Sequence, residues 1–423
     1  MHDLRTLRDN IETLREGMRR RGKLAQYAPA IDRAEALESG RRRLIAQVEE
    51  KKAARNANAQ EVGRRKRARE EAGELVARGR VIGDEIAAIE GELGGVEAEL
   101  GEILLGIPNL TLPEVPAGDE SHNTVVRSWG IPRAGAGVPP HWETGAKLGL
   151  LDLERGAKVS GSGFIVYRGM GARLQRALMN FFVDLHTREH GCEEVWVPFA
   201  VSRASMVGTS QLPKFEEDMY ALRDDPLYLV PTAEVPVTNL FRDEILEAAD
   251  LPRALCAYTP CFRREAGSAG KDTRGLLRVH QFDKVEMVRL ATPETALDQL
   301  ELLTGHAERL LQLLGLPYRV VLLAAGDTGF GSAKTYDLEA WSPGTGTWLE
   351  VSSCSTFGDF QARRANIRYR PAPGEKPRFA HTLNGSGLAF PRTVACLLEH
   401  HWHDGRVTIP DALRPWLGAD ALG

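Results

Sequence analysis

No stretch of this chain approaches the run of about 18 apolar residues that a membrane-spanning helix needs, which excludes an integral helical membrane protein. Cysteine is scarce. The five present (Cys192, Cys256, Cys261, Cys354, Cys396) are dispersed, odd in number and without a Cys-x-x-Cys, which argues against a disulfide framework or a zinc site. The opening MHDLRTLRDN is charged and lacks the apolar centre of a secretion signal, so a cytoplasmic protein is expected. Charge of one sign is not in excess either: 54 Lys and Arg face 58 Asp and Glu, a net of −4. Any affinity for nucleic acid must therefore lie in local charge. A G-x-x-x-x-G-K-[ST] phosphate loop is missing, and Gly169-Met170-Gly171 is too short for a dinucleotide fingerprint. A bound nucleotide would have to be held by side chains on strands.

Within residues 1–105 proline is almost absent (Pro29 alone) and strand-forming vocabulary is thin. What stands there is helical. Leu75, Ile82, Ile86, Ile89, Leu93, Val96, Leu100 and Ile103 are spaced by 7 and then by alternating 4 and 3, a heptad seam that calls for a partner helix. Leu37, Leu44, Val48 and Val62, between Ile31 and about Arg67, supply a weaker matching repeat. The spacing predicts an antiparallel helical hairpin over 1–105, with a shorter helix at Leu4–Arg20 and Gly63, Gly73 and Gly79 around its tip. Between Lys51 and Arg80 ten basic residues face four acidic ones. The cluster Arg64, Arg65, Lys66, Arg67, with Arg69 beyond it, suits phosphate contact. No aromatic lies near, so the arm should read backbone shape and not bases.

Pro108, Pro113 and Pro116 mark a linker at about 106–130. Beyond it, over 131–423, short β-rich runs alternate with helices such as Gly171–His190 and Ala296–Leu314, which predicts an α+β domain on a mainly antiparallel sheet flanked by helices. Its richest stretch is 256–290. Arg263 and Glu265 close one apolar strand, a Gly-, Lys- and Arg-rich loop follows, and a second strand carries His280, Phe282, Lys284 and Glu286 at alternate positions. Side chains two apart share a face. One surface would then offer cations, an aromatic plate and a carboxylate, a set suited to a triphosphate, a base and an amino group.

Activation of an amino acid by ATP is mostly positioning and electrostatic stabilisation. It needs a guanidinium at the α-phosphate, oxygen ligands for a magnesium ion, and a second cation toward the γ-phosphate. Arg263, Glu350 with Ser353, and Arg392 supply those types. Thr232 and Glu234 would share a face if extended. His400, His401 and His403 cannot all share a helix face, so they are read as a solvated helix end and no zinc is expected.

The 256–290 segment resembles motif 2 of the class II aminoacyl-tRNA synthetases, in the form found in seryl-tRNA synthetases. In order along the chain, IPNL…VP.G..ES.N at 107–123, Thr232-Ala233-Glu234, Glu350-Val351-Ser352-Ser353 and Asn384-Gly385-Ser386-Gly387 extend the resemblance. It implies motif 1 at about 171–198 and motif 3 at about 384–400. It further implies that Arg263, Arg264, Glu265, Val279, Phe282, Glu350, Val351, Ser352, Ser353 and Arg392 bind ATP, with Arg263 and Arg392 catalytic. Thr232, Ala233, Glu234, Arg263, Glu286, Asn384 and Ser386 would bind serine, and Glu350 and Ser353 a Mg2+ ion. The arm, through Arg64, Arg65, Lys66, Arg67 and Arg69, would hold the long variable arm of a tRNA, while Lys271 and Arg274 would meet its acceptor end. Also implied are a homodimer and serylation of a selenocysteine tRNA where one exists. Two departures stand out: Gly163, where relatives commonly have Arg, and Pro391, where many have Gly. The alternatives are an amino-acid ligase acting on a carrier protein, which is expected to lack the basic arm, and a non-catalytic RNA-binding scaffold, which is expected to have lost Arg263, Glu265, Glu286, Glu350 or Arg392.

Overall fold

The computed structural model describes residues 1–266 and 274–423; Lys271 lies outside them. It divides into two compact units, Met1–Pro108 and Asn109–Gly423.

The first unit is helical. Helices α3 (Leu24–Arg67) and α4 (Gly73–Gly106) pair along the heptad seam, with Leu44, Val48, Ile82, Ile86 and Leu100 buried between them. Gly79 allows close approach: a Cβ there would sit 3.0 Å from the Asn58 amide nitrogen, which donates to the Leu75 carbonyl. The shorter helix expected at Leu4–Arg20 is two helices, α1 (Leu4–Asp9) and α2 (Ile11–Arg20). Asn10, at φ −158° and ψ 66°, breaks the helical path between them, and the Asp3 side chain caps the first.

The second unit is built on an eight-stranded sheet: β1 (Thr124–Trp129), β2 (Glu193–Glu194), β3 (Arg253–Phe262), β4 (Gln281–Ala291), β5 (Tyr318–Leu322), β6 (Lys334–Ser342), β7 (Thr347–Thr356) and β8 (His381–Ala389). Their spatial order is β1-β5-β6-β7-β8-β4-β3-β2, antiparallel except for the β2–β3 pair. Part of the stretch read as a linker belongs to this unit. Asn109 donates to the carbonyls of Gly331 and Phe357, and Thr124–Trp129 forms the edge strand. The helices Met170–Arg188 and Ala296–Leu313 lie close to their expected bounds and bury Leu174, Leu178, Phe182, Leu300, Leu303 and Leu310 in the core. The strand read at Val195–Val197 lies two residues earlier. Val195 N–H still bonds Cys256 O, but the chain then leaves the sheet and Pro198 has no N–H to extend the ladder. Among the described residues no helix is long and apolar enough to cross a membrane.

Candidate active site

A cavity of about 620 Å³ opens over the centre of the sheet, lined from β4, β7, β8 and the helix Phe390–His400. Three local devices aim the expected side chains into it.

The first is a bulge. Along β7 and β6, Ser352 pairs with Leu338 and Glu350 with Glu339, so Val351 is the extra residue. On a regular strand, residues three apart point to opposite faces. The bulge restores Glu350 and Ser353 to one side, and both line the cavity.

The second is the β4–β8 pairing, which sets Ser386 directly opposite Glu286. Glu286 is fully buried and accepts from the Asn384 amide at 3.0 Å and the Ser386 hydroxyl at 3.5 Å. Lys284 lies 2.5 Å from Glu286 Oε2 and donates to the Thr232 hydroxyl at 2.9 Å.

The third is a turn where an extended segment was expected. Thr232 and Glu234 do not share a strand face; Glu234 is the first residue of the short helix Glu234–Asn239, and its N–H bonds Thr232 Oγ1 at 3.3 Å. Both side chains still line the cavity. Glu234 Oε1 accepts from Gln361 Nε2 at 2.6 Å. Burial pushes the Glu234 carboxyl up to about 7; Glu286 adds to the rise, while Gln361, Lys284 and Arg263 oppose it. Two carboxylates in the cavity wall therefore feel the charge of one lysine. Glu234, which accepts from the neutral amide of Gln361, suits an ammonium group.

The Arg263 guanidinium, also in the cavity wall, lies over the Phe282 ring at 5.2 Å and donates to Pro231 O at 3.3 Å. Arg392 donates to Leu277 O at 3.2 Å and reaches Glu350 Oε2 at 3.3 Å. Pro391 sits in the first turn of the helix Phe390–His400, where its missing N–H costs no helical bond. Glu265 lies beyond the end of β3 in the left-handed region (φ +51°), paired with Arg278 at 2.8 Å. It reaches the cavity through that unusual backbone and not through strand alternation.

Other expectations are corrected. His280 precedes β4, bonds Arg263 O at 3.0 Å and stacks on Phe164 at 5.4 Å, away from the cavity wall. That packing explains Gly163: at φ +83°, a Cβ there would fall 2.2 Å from the His280 ring. Ala233 is buried in a core cluster, and the Arg264 N–H bonds Asp218 O; neither side chain lines the cavity, whereas Val279, Val351 and Ser352 do. Arg274 lies with its guanidinium 4.7 Å over the Trp142 ring. His401 bonds the Leu314 carbonyl, and burial holds His400 down at about 4.

Two residues escaped sequence reading. Gln361 orients Glu234 from a helix 127 positions away, and a lone Gln carries no local signal. Asp337 pairs with Ser353 across β6–β7, and burial, then the charge of Glu350, hold its carboxyl well above the usual range. Its Oδ1 is buried without a hydrogen-bond partner. Glu350 and Ser353 line the cavity and offer oxygens of the kind magnesium takes when substrate phosphates and waters complete its shell, whereas Asp337, next to Ser353 on the neighbouring strand, is not in the cavity lining.

At the arm tip, Arg64 and Arg65 both bond Glu61, at 2.7 and 3.2 Å, and hold its carboxyl down at about 2. Arg67 donates to Gly63 O at 3.1 Å, and Arg69 adopts φ +56°. Lys66 lines a groove with Val76 and Arg80.

This sheet, with its cavity walled by two antiparallel strands and a strand–helix turn, defines the class II aminoacyl-tRNA synthetases. Residues 215–401 match the family model described as "tRNA synthetase class II core domain (G, H, P, S and T)", and residues 1–111 match "Seryl-tRNA synthetase N-terminal domain". The serine–tRNA ligase of Gemmatimonas aurantiaca is 63% identical over 424 residues, covering 100% of both chains; that of Geobacillus sp. (strain WCH70) is 55% identical over 99% of both. The crystal structure of seryl-tRNA synthetase from Pyrococcus horikoshii complexed with ATP superposes with a TM-score of 0.94 at 37% identity, covering 100% of this chain and 99% of that one. The cytoplasmic serine–tRNA ligase of Naegleria fowleri in complex with AMP superposes at 0.89 with 29% identity, covering 100% of this chain and 98% of that one. The chain belongs to the seryl-tRNA synthetase family.

Proposed function

We propose that the chain ligates L-serine to tRNA at the expense of ATP, through a seryl-adenylate formed in this cavity. The observation that carries the site reading is the polarity of the cavity. Glu286, paired with Lys284, and Glu234 line it together with the cations Arg263 and Arg392. Serine's ammonium joins the two carboxylates, beside Thr232, Asn384 and Ser386, and directs its carboxylate toward Arg263. The serine carboxylate oxygen bonds the α-phosphorus as the bond to pyrophosphate breaks. A ribose hydroxyl of the tRNA then attacks the carbonyl carbon and AMP leaves. Arg263 stabilises charge on the α-phosphate and Arg392 on the γ-phosphate. Adenine takes the face of Phe282 and the reach of Glu265, with Val279, Val351 and Ser352 nearby, and so replaces the present contacts of Arg263 and Arg278. Glu350 and Ser353 would hold magnesium, with Asp337 next to Ser353 on the neighbouring strand, and the ion would supply charge neutralisation to the triphosphate.

The basic arm tip supplies phosphate contacts to a tRNA, whose acceptor end enters near Arg274. A homodimer in the cytoplasm is part of the same reading. Trp196, 71% exposed just after the β2 edge, supports a second copy docking there. The test is ATP–pyrophosphate exchange across the amino acids. Serine alone should support it, with alanine poorer by roughly 10⁴-fold because its bound form leaves buried polar groups unpaired. Equal rates with alanine would overturn the serine pocket.

A further inference from the structure

The last helix of the site carries a second charged group, and this one is wholly buried and outside the cavity lining. Glu399 stands seven residues, about two turns, after Arg392 on the helix Phe390–His400, so both lie on one side of it. The side chains of Glu399 and His141 are wholly buried, and their Oε1 and Nδ1 atoms are 2.8 Å apart. The same oxygen accepts from the His141 backbone N–H at 2.9 Å. The other carboxylate oxygen accepts from the Ser342 hydroxyl and from Gly344 N–H. Burial alone would push the Glu399 carboxyl up, but the hydrogen bonds from His141 and Ser342 outweigh it and hold the group below its ordinary value.

A charged carboxylate only accepts, so the His141 proton sits on Nδ1. Nε2 is left as an acceptor, and the Leu276 N–H donates to it at 3.0 Å. Leu276 begins the segment that forms the nucleotide side of the cavity, with Leu277, Arg278 and Val279. The next carbonyl along, Leu277 O, accepts from Arg392 Nε at 3.2 Å. The helix is thus tied twice to one short segment, directly through Arg392 and indirectly through Glu399 and His141. Gly275 makes room for the second tie: at φ +68°, a Cβ there would fall 2.4 Å from His141 Nε2.

We propose that His141, oriented by Glu399, is a positioning residue for ATP. It sets the 275–279 segment against the last helix so that Val279, Arg278 and Arg392 meet the nucleotide together. This rests on the reading of the cavity as the ATP site. His141 touches no substrate, and the serine end of the cavity is independent of it.

The test compares His141→Ala, His141→Gln and Arg392→Ala in ATP–pyrophosphate exchange. Removing the imidazole leaves the buried Leu276 N–H without a partner, so His141→Ala should raise KM for ATP about tenfold. KM for serine should stay within about twofold. A glutamine amide can donate to Glu399 and accept from Leu276, so His141→Gln should restore most of the ATP affinity. Unchanged KM for ATP in His141→Ala, a parallel rise in both KM values, or a glutamine variant as impaired as alanine would each overturn the proposal. Should His141→Ala fail to fold, Gly275→Ala carries the same test, because its methyl displaces the ring from Leu276 without emptying the core. An unchanged KM for ATP there overturns the proposal too. Arg392→Ala separates the two readings. If it raises KM for ATP and the His141 and Gly275 variants do not, the positioning role alone falls. If none of the variants changes it, the ATP-site reading falls as well.

Discussion

Replacing Glu234 by glutamine should stabilise the protein while disabling it. Burial, assisted by the neighbouring Glu286, raises the Glu234 carboxyl from 4.5 to about 7. The folded chain therefore holds a proton that the unfolded chain releases, over the window between those two values. Stability falls as pH rises from about 4.5 to 7, and the full penalty persists above 7. At 1.36 kcal/mol per pH unit the penalty is about 3 kcal/mol, as an upper figure. Glutamine carries no charge and keeps an oxygen for Gln361. Glu234→Gln should therefore melt a few degrees above the parent at pH 8 and level with it at pH 5. Serine's ammonium, in contrast, needs the carboxylate. In the parent, KM for serine should be flat above pH 7 and rise roughly tenfold by pH 6, since the competent form is lost by a factor of about ten per unit. The glutamine variant should lose a charged hydrogen bond, a cost of about 1.5–3 kcal/mol that raises KM for serine at least tenfold. Calorimetry and exchange kinetics across pH 5–8 make the measurement. A variant that melts no higher at pH 8, or a parent KM for serine that ignores pH, would refute the reasoning.

Three further outcomes follow from the geometry. Glu350→Gln removes a cavity-lining carboxylate beside Ser353, so it should raise by several-fold the magnesium concentration giving half-maximal exchange, read by titrating the metal at fixed ATP, and an unchanged requirement would remove Glu350 from the metal site. Glu61→Gln removes the carboxylate shared by Arg64 and Arg65 at the arm tip and leaves Arg64 only its longer pairing with Glu70, so tRNA should bind more tightly at low salt, with a log–log salt slope steeper by about one unit for each further phosphate neutralised; an unchanged slope in filter binding would remove these arginines from the interface. Replacing residues 31–104 by a short Gly-rich bridge should leave serine-dependent exchange largely intact and nearly abolish aminoacylation, and an armless protein that still charges tRNA would overturn the role of the arm.

What the sequence determined by itself was whatever repeats locally. Of the heptad series, Ile82, Ile86 and Leu100 became buried in the hairpin because successive turns of a helix present them to the same partner, while Ile89, Leu93, Val96 and Ile103 are half-buried and Leu104, outside the series, is buried. The helices near 170–188 and 296–313 were legible for the same reason. The strand alternation of Phe282, Lys284 and Glu286 likewise placed all three in the cavity. The resemblance along the chain named the residue types of the site but not how they are aimed. Glu350 and Ser353 share a side only because Val351 bulges, and a bulge is set by the partner strand's register, which the strand's own sequence does not contain. Glu265 reaches the site through a left-handed backbone, and Thr232–Glu234 through a turn onto a helix. The tertiary structure alone decided which distant groups meet. Gln361 is 127 residues from Glu234, and His141 is 258 residues from Glu399. Such pairs leave no period to read, because the cost of leaving a buried charge unpartnered is enforced only once the fold has removed it from water.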